Sequence, residues 1–127
     1  IMKTHAATGA DALGRALSEF PDADFLCMAR DIAGCPHERV DGTGYPLGLT
    51  GQDIPLSARI FAVVDVYDAL VSKRVYKEAF TPLVAKNIIV EGSGTQFDAD
   101  VVAAFVECEP MFLETYRQHA LLFAAVA

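Results

Sequence analysis

Small and apolar residues recur at helical spacing along most of this chain. Ala6, Ala10, Leu13 and Leu17 precede a Phe20-Pro21 break and predict a first helix over about 6–17. A second is expected from Asp22 or Ala23 to Ile32, with Phe25, Met28, Ala29 and Ile32 facing inward and Gly34, Cys35 and Pro36 ending it. From Leu56 the pattern changes, because Leu56, Ile60, Val63, Val64, Tyr67, Leu70 and Val71, with alanines between them, leave little polar circumference. Such a helix belongs at the centre of the body. Thr81-Pro82 reads as an N-cap followed by a first-turn proline, opening a helix to about Val90 before Gly92-Ser93-Gly94. Asp98 caps the next helix, which carries Val101, Val102, Phe105 and Val106 and is expected to stop near Pro110. A last apolar helix follows from Met111 to about Val126. The pattern predicts one all-α body over 1–127, a helical bundle of about six helices with almost no β structure.

The stretch from Gly34 to Pro55 breaks that periodicity with five glycines and three prolines. Long ordered loops inside compact domains are commonly functional, and Tyr45, Leu47, Leu49 and Ile54 give this one side chains to pack with. Its Gly42-Thr43-Gly44-Tyr45-Pro46 run lacks the strand, helix and Lys-Ser/Thr ending of a P-loop. The glycines therefore serve shape, and Tyr45 supplies a ring able to pack or to stack on a base.

Charge narrows the function. A formal net charge of -7 argues against broad electrostatic binding to DNA, RNA or anionic membranes. An anionic ligand would need local help from a metal ion or a few placed cations. No apolar run approaches the roughly 20 residues of a membrane span. Three unevenly spaced cysteines without a CxxC pair fit reduced thiols in a cytoplasmic protein, with Cys27 and Cys108 expected to be buried in helices. A 53% hydrophobic composition is high for so small a body and leaves apolar surface for a partner. The opening IMKTHAATGADAL has no obvious helix start, so the chain is expected to begin within an element of a longer protein.

Candidate chemistry gathers between His37 and Lys77. Asp65 and Asp68 lie three apart on the most apolar helix, where neighbouring like charges need a metal, a cation or an outward face to compensate them. His37 stands at the mouth of the loop, and imidazole with carboxylate is a usual ligand combination for hydrolytic divalent metals. Arg74 and Lys77 form a place to receive phosphate oxygens; equally, they suit the negative end of the preceding helix. His119, in the apolar terminal helix, reads as structural.

Taken together, His37-Glu38-Arg39, Asp41 through Pro46, Gly48-Leu49, Gly51, Ile54-Pro55-Leu56 and Ala58-Arg59-Ile60 resemble the HD-GYP family in order and spacing. Asp65, Asp68-Ala69-Leu70, Arg74, Tyr76-Lys77, Gly94 and Phe97-Asp98 extend the resemblance to about Phe105. These are bacterial signalling hydrolases of the HD superfamily, metal-dependent phosphodiesterases of cyclic di-GMP. The resemblance implies His5, His37 and Asp65 as metal ligands, with iron or manganese as the ions. It implies Arg74, Lys77 and Tyr45 as substrate contacts, with Asp68 orienting a ligand or water and Lys77 stabilising phosphate charge. Gly44, Tyr45 and Pro46 match the signature loop, associated with substrate access and with docking to GGDEF-type domains. An upstream receiver or sensor domain is a further expected partner.

The chain departs from that pattern in two ways. Pro36 stands where the family usually carries the first of two histidines, and the His-Asp dyad that names the superfamily is not among these residues. The expectation is a C-terminal portion of an HD-GYP domain that turns over cyclic di-GMP poorly by itself. The competing class is a noncatalytic module that senses a cyclic nucleotide or docks a protein. A third reading, a helical fragment associating through apolar faces, predicts homo-oligomers.

Overall fold

In a computed structural model the structure describes residues 4–72 and 78–126, with side chains described over 8–72 and 78–122. Among the described residues five α-helices follow in order: α1 Thr4–Glu19, α2 Asp24–Gly34, α3 Leu56–Val71, α4 Pro82–Glu91 and α5 Ala99–Val126. A single 3-10 turn, Gly51–Asp53, interrupts the long loop before α3. Among the described residues β structure is confined to two isolated bridges, Asp41 with Thr50 and Ser93 with Phe97.

The centre lies where α3, α4 and α5 meet. Val63 and Tyr67 from α3, Ala85 and Ile89 from α4, and Val102 and Phe105 from α5 close around Phe97. Tyr67, Phe105 and Phe112 form a tilted and edge-on aromatic cluster with centroids 5.3–5.5 Å apart, an arrangement the ring quadrupoles favour. A smaller core of Cys35, Ile54 and Ala58, with Val40 and Leu49 against it, sits beneath the loop.

Both predicted caps are made. The Thr81 hydroxyl accepts from Val84 N at 3.3 Å with Pro82 in the first turn. Asp98 Oδ1 accepts from the backbone N–H groups of Asp100 and Val101 at 2.9 and 3.0 Å. Each fills donors that the first turn of a helix leaves open.

Three expectations need correction. The break at Pro110 does not occur, and α5 runs through it for 28 residues. Phe105, Phe112 and Tyr116, spaced seven and four apart, keep one stripe on the α3 side across the proline, so packing offsets the lost backbone bond. The inward stripe of α2 is also rotated, with Phe25 and Met28 73% and 56% exposed. Small residues set the crossing of α1 and α2 instead: Gly9 faces Ala33 and Gly34 faces Ala10, close enough that a Cβ on Gly34 would lie 3.2 Å from the Ala10 methyl. Large side chains have no room there. Finally, Cys108 is exposed and Cys27 half-buried, whereas Cys35 is the buried cysteine, under the loop.

Candidate active site

The loop between α2 and α3 is built around Glu38. Its side chain is only 4% exposed, and its two carboxylate oxygens accept from Leu47 N at 2.7 Å and Leu49 N at 2.9 Å. A buried carboxylate is costly unless hydrogen-bonded, and the turn's backbone donors would otherwise go unpaired. Each need meets the other. The Glu38 carboxylate thereby fixes Gly44 to Leu49 as an arch.

Gly44 sits at the tightest point of that arch, where a Cβ would collide with the backbone of Arg39, His37 and Glu38. Tyr45 N donates to the His37 carbonyl at 3.2 Å, and the two rings stack with centroids 5.0 Å apart. The Tyr45-Pro46 peptide is cis. Leu47 projects from the arch and is 70% exposed.

Asp41 organises the other limb. Its Oδ1 accepts from the Thr43 hydroxyl at 2.6 Å and from Thr43 N at 3.0 Å. Those two bonds hold its carboxyl below the usual range against the opposing effect of desolvation, and the nearby Arg39 guanidinium adds to them. Arg39 Nε is buried at 3.6 Å from that carboxylate, beyond hydrogen-bond length. Asp41 N and Val40 N donate to the carbonyls of Thr95 and Gln96, which ties the loop to the α4–α5 connection. Beneath it the Cys35 thiol is pushed up by burial and by the charges of Glu38 and Asp31, so it stays protonated.

Asp65 and Asp68 are both exposed on α3, which resolves their mutual repulsion by an outward face. His37 is half-buried against Tyr45. Among the described residues no three His, Cys, Asp or Glu side chains converge where they could hold a metal ion, so neither His37 nor Asp65 belongs to such a cluster there. The described donors alone do not fit a two-metal centre. His5 lies in α1 with its side chain outside the described ones, and Arg74 and Lys77 lie outside the described residues altogether.

A groove of about 690 Å³ opens between the second halves of α3 and α5. Val64, Tyr67, Asp68 and Val71 form one wall, and Phe112, Thr115, Tyr116 and His119 the other. His119 is exposed at this groove, not packed as a structural residue. The Tyr67 hydroxyl is buried and has no hydrogen-bond partner among the described residues; burial, and secondarily Glu109 and Tyr116, raise its pKa and keep it a donor.

Sequence reasoning gave Glu38 no role beyond its place in the motif and passed over Tyr67 as a site residue. Glu38 had a usable signal, an acidic side chain entering a Gly-rich turn whose backbone donors need acceptors. Tyr67 had none, since its spacing is that of a core residue.

The HD domain family model matches residues 5–101. The chain is 52% identical over 113 residues to a cyclic di-GMP phosphodiesterase of Vibrio cholerae, covering 89% of this chain and 23% of that protein. It is 42% identical over 106 residues to a cyclic di-GMP phosphodiesterase response regulator of Xanthomonas campestris, covering 84% of this chain and 27% of the relative. A cyclic di-GMP phosphodiesterase of Thermotoga maritima is 38% identical over 118 residues, 93% of this chain and 31% of the relative. The chain belongs to the HD domain family. Within that family it is of the HD-GYP type, as its signature loop and these relatives agree. It spans about a quarter of the length of the curated relatives it matches. HD phosphohydrolases are metal-dependent as a class, and no helix among the described residues is long and apolar enough to cross a membrane.

Proposed function

We propose that this chain is an HD-GYP-type phosphohydrolase domain of the cyclic di-GMP phosphodiesterase lineage, with turnover impaired in the 127-residue chain. The observation that carries the reading is the Glu38-clamped arch, which presents Tyr45 beside His37 at the residues the family signature occupies. The 52% identity to a cyclic di-GMP phosphodiesterase supports the substrate class.

In this reading His5, His37 and Asp65 contribute to binding iron or manganese, which would supply a nucleophilic hydroxide and Lewis acidity. Asp68 orients the phosphate or water from the next turn of α3. Arg74 and Lys77 neutralise the phosphate oxygens. Pro36 removes one imidazole, so the ligand set is short. Incubating the purified chain with cyclic di-GMP and Mn²⁺ or Fe²⁺ tests this: binding with slow linearisation supports it, and failure to bind the dinucleotide contradicts it.

A noncatalytic module is the second reading, favoured by Pro36, which cannot coordinate a metal through its side chain. The arch would then serve as a docking or sensing surface, with a GGDEF-type domain as a candidate partner. Metal analysis separates the two, because this reading predicts ligand or partner binding by metal-free protein.

A further inference from the structure

The loop between α2 and α3 has a base and an overhang. The base is held from the body of the protein: Val40 N and Asp41 N donate to the Gln96 and Thr95 carbonyls, and Val40 packs on the small core of Cys35, Ile54 and Ala58. The overhang is 44–49. Its Tyr45 N donates to the His37 carbonyl, while Leu47 N and Leu49 N donate to the two carboxylate oxygens of Glu38. Glu38 thus ties the overhang to the base.

Much of what that tie holds in place is surface. Leu49 packs on the small core, but Pro46 is exposed and Leu47 is 70% exposed, so the clamp shapes a segment that adds little to the interior. What it does set is the attitude of Tyr45, two residues before the first clamped amide. The Tyr45 ring lies on the His37 imidazole with centroids 5.0 Å apart and planes 29° from parallel. A ligand contact carried on a loop is effective when its backbone and rotamer are fixed before the ligand arrives. An apolar side chain at position 38 would fill the same space but accept from neither amide, leaving the overhang to drift. Glu38 is 4% exposed with both oxygens engaged, so it acts through what it holds and not on a ligand.

We propose that Glu38 is a positioning residue for cyclic dinucleotide binding: by clamping Leu47 and Leu49 it sets Tyr45 in the orientation that meets the ligand. The proposal rests on the phosphodiesterase reading for its ligand and for Tyr45 as a contact. It adds a buried residue that governs affinity without touching the ligand.

The test is a double-mutant cycle, read by calorimetric titration of the purified chain with cyclic di-GMP, in the parent, Glu38→Gln, Tyr45→Ala and the double variant. Glu38→Gln should bind about five- to tenfold more weakly than the parent. In the Tyr45→Ala background the same change should alter affinity by less than about twofold, because the residue it acts through is gone. The His37 ring-proton shifts of the ligand-free proteins give a second reading: they should move in Glu38→Gln as the stacking loosens, and unmoved shifts overturn the proposal. Equal losses in both backgrounds, or Glu38→Gln binding like the parent, also overturn it while leaving the phosphodiesterase reading in place. A parent chain that does not bind the dinucleotide overturns the reading and the proposal together. Where Glu38→Gln is unfolded at the assay temperature, Glu38→Asp, which keeps the charge and shortens its reach, takes its place with the same expectations.

Discussion

Arg59 reaches across from the first turn of α3 to Asp98 at the start of α5, with Nη1 donating to Oδ2 at 2.9 Å and both side chains about 15% exposed. Arg59 Nε also donates to the Ile54 carbonyl at 2.9 Å, so one guanidinium joins the end of the signature loop to the cap of the last helix. Breaking such a sheltered pair from one side leaves a charge without its partner. Arg59→Ala should therefore cost about 2–4 kcal/mol, read as a lower midpoint in urea. In a double-mutant cycle with Asp98→Ala the two losses should be non-additive.

Asp98 also predicts the acid response. Burial pushes its carboxyl up, but hydrogen bonds from Val101 N, Arg59 and Asp100 N, with the charge of Arg59, outweigh that and hold it below its ordinary 3.8. Near that value the unfolded chain binds more protons than the folded one, so stability rises with pH there. The contribution is fully present above pH 3.8 and disappears as pH falls through the lower folded value. Denaturant titrations across the acid range should show a shallower pH dependence in Asp98→Asn than in the parent.

Removing the Glu38 clamp should loosen the arch locally. Glu38→Ala leaves the Leu47 and Leu49 amides without their acceptors, at a cost of about 1–3 kcal/mol. Amide hydrogen exchange should then accelerate at Leu47 and Leu49 by roughly ten- to a hundredfold while amides of α4 keep their protection. Glu38→Gln, which keeps one good acceptor, should fall between the two.

Gly44→Ala should be worse than an ordinary loop substitution. Its Cβ would meet backbone, not a movable side chain, at Arg39, His37 and Glu38. A loss of about 2 kcal/mol or more is expected by thermal melting, along with weakened His37–Tyr45 stacking in NMR ring-current shifts. Gly14→Ala, with open space around its Cβ, is the control and should be close to neutral or stabilising.

How far the sequence revealed this molecule follows from what each residue depends on. Thr81 and Asp98 act within three residues of themselves, so their caps were legible, as was the central position of α3 from its apolar circumference. The α2 face was not, because Phe25 and Met28 look like core until the Gly9–Ala33 approach shows that only small residues fit that crossing. Pro110 misled for a similar reason: its local cost was visible, while the packing of Phe105 and Phe112 on Tyr67 on either side of it was not. In the site, the motif located the arch and its glycines, but the orphan hydroxyl of Tyr67 exists only in three dimensions.

The central claim, a phosphodiesterase-lineage site short of one imidazole, is tested most directly by cyclic di-GMP linearisation in Mn²⁺ or Fe²⁺ by the parent chain and Pro36→His side by side. The account predicts binding in both, turnover below about 1 s⁻¹ in the parent, and at least a roughly tenfold gain with the histidine. Parent turnover at ordinary enzymatic rates, or no binding of the dinucleotide by either protein, would contradict it.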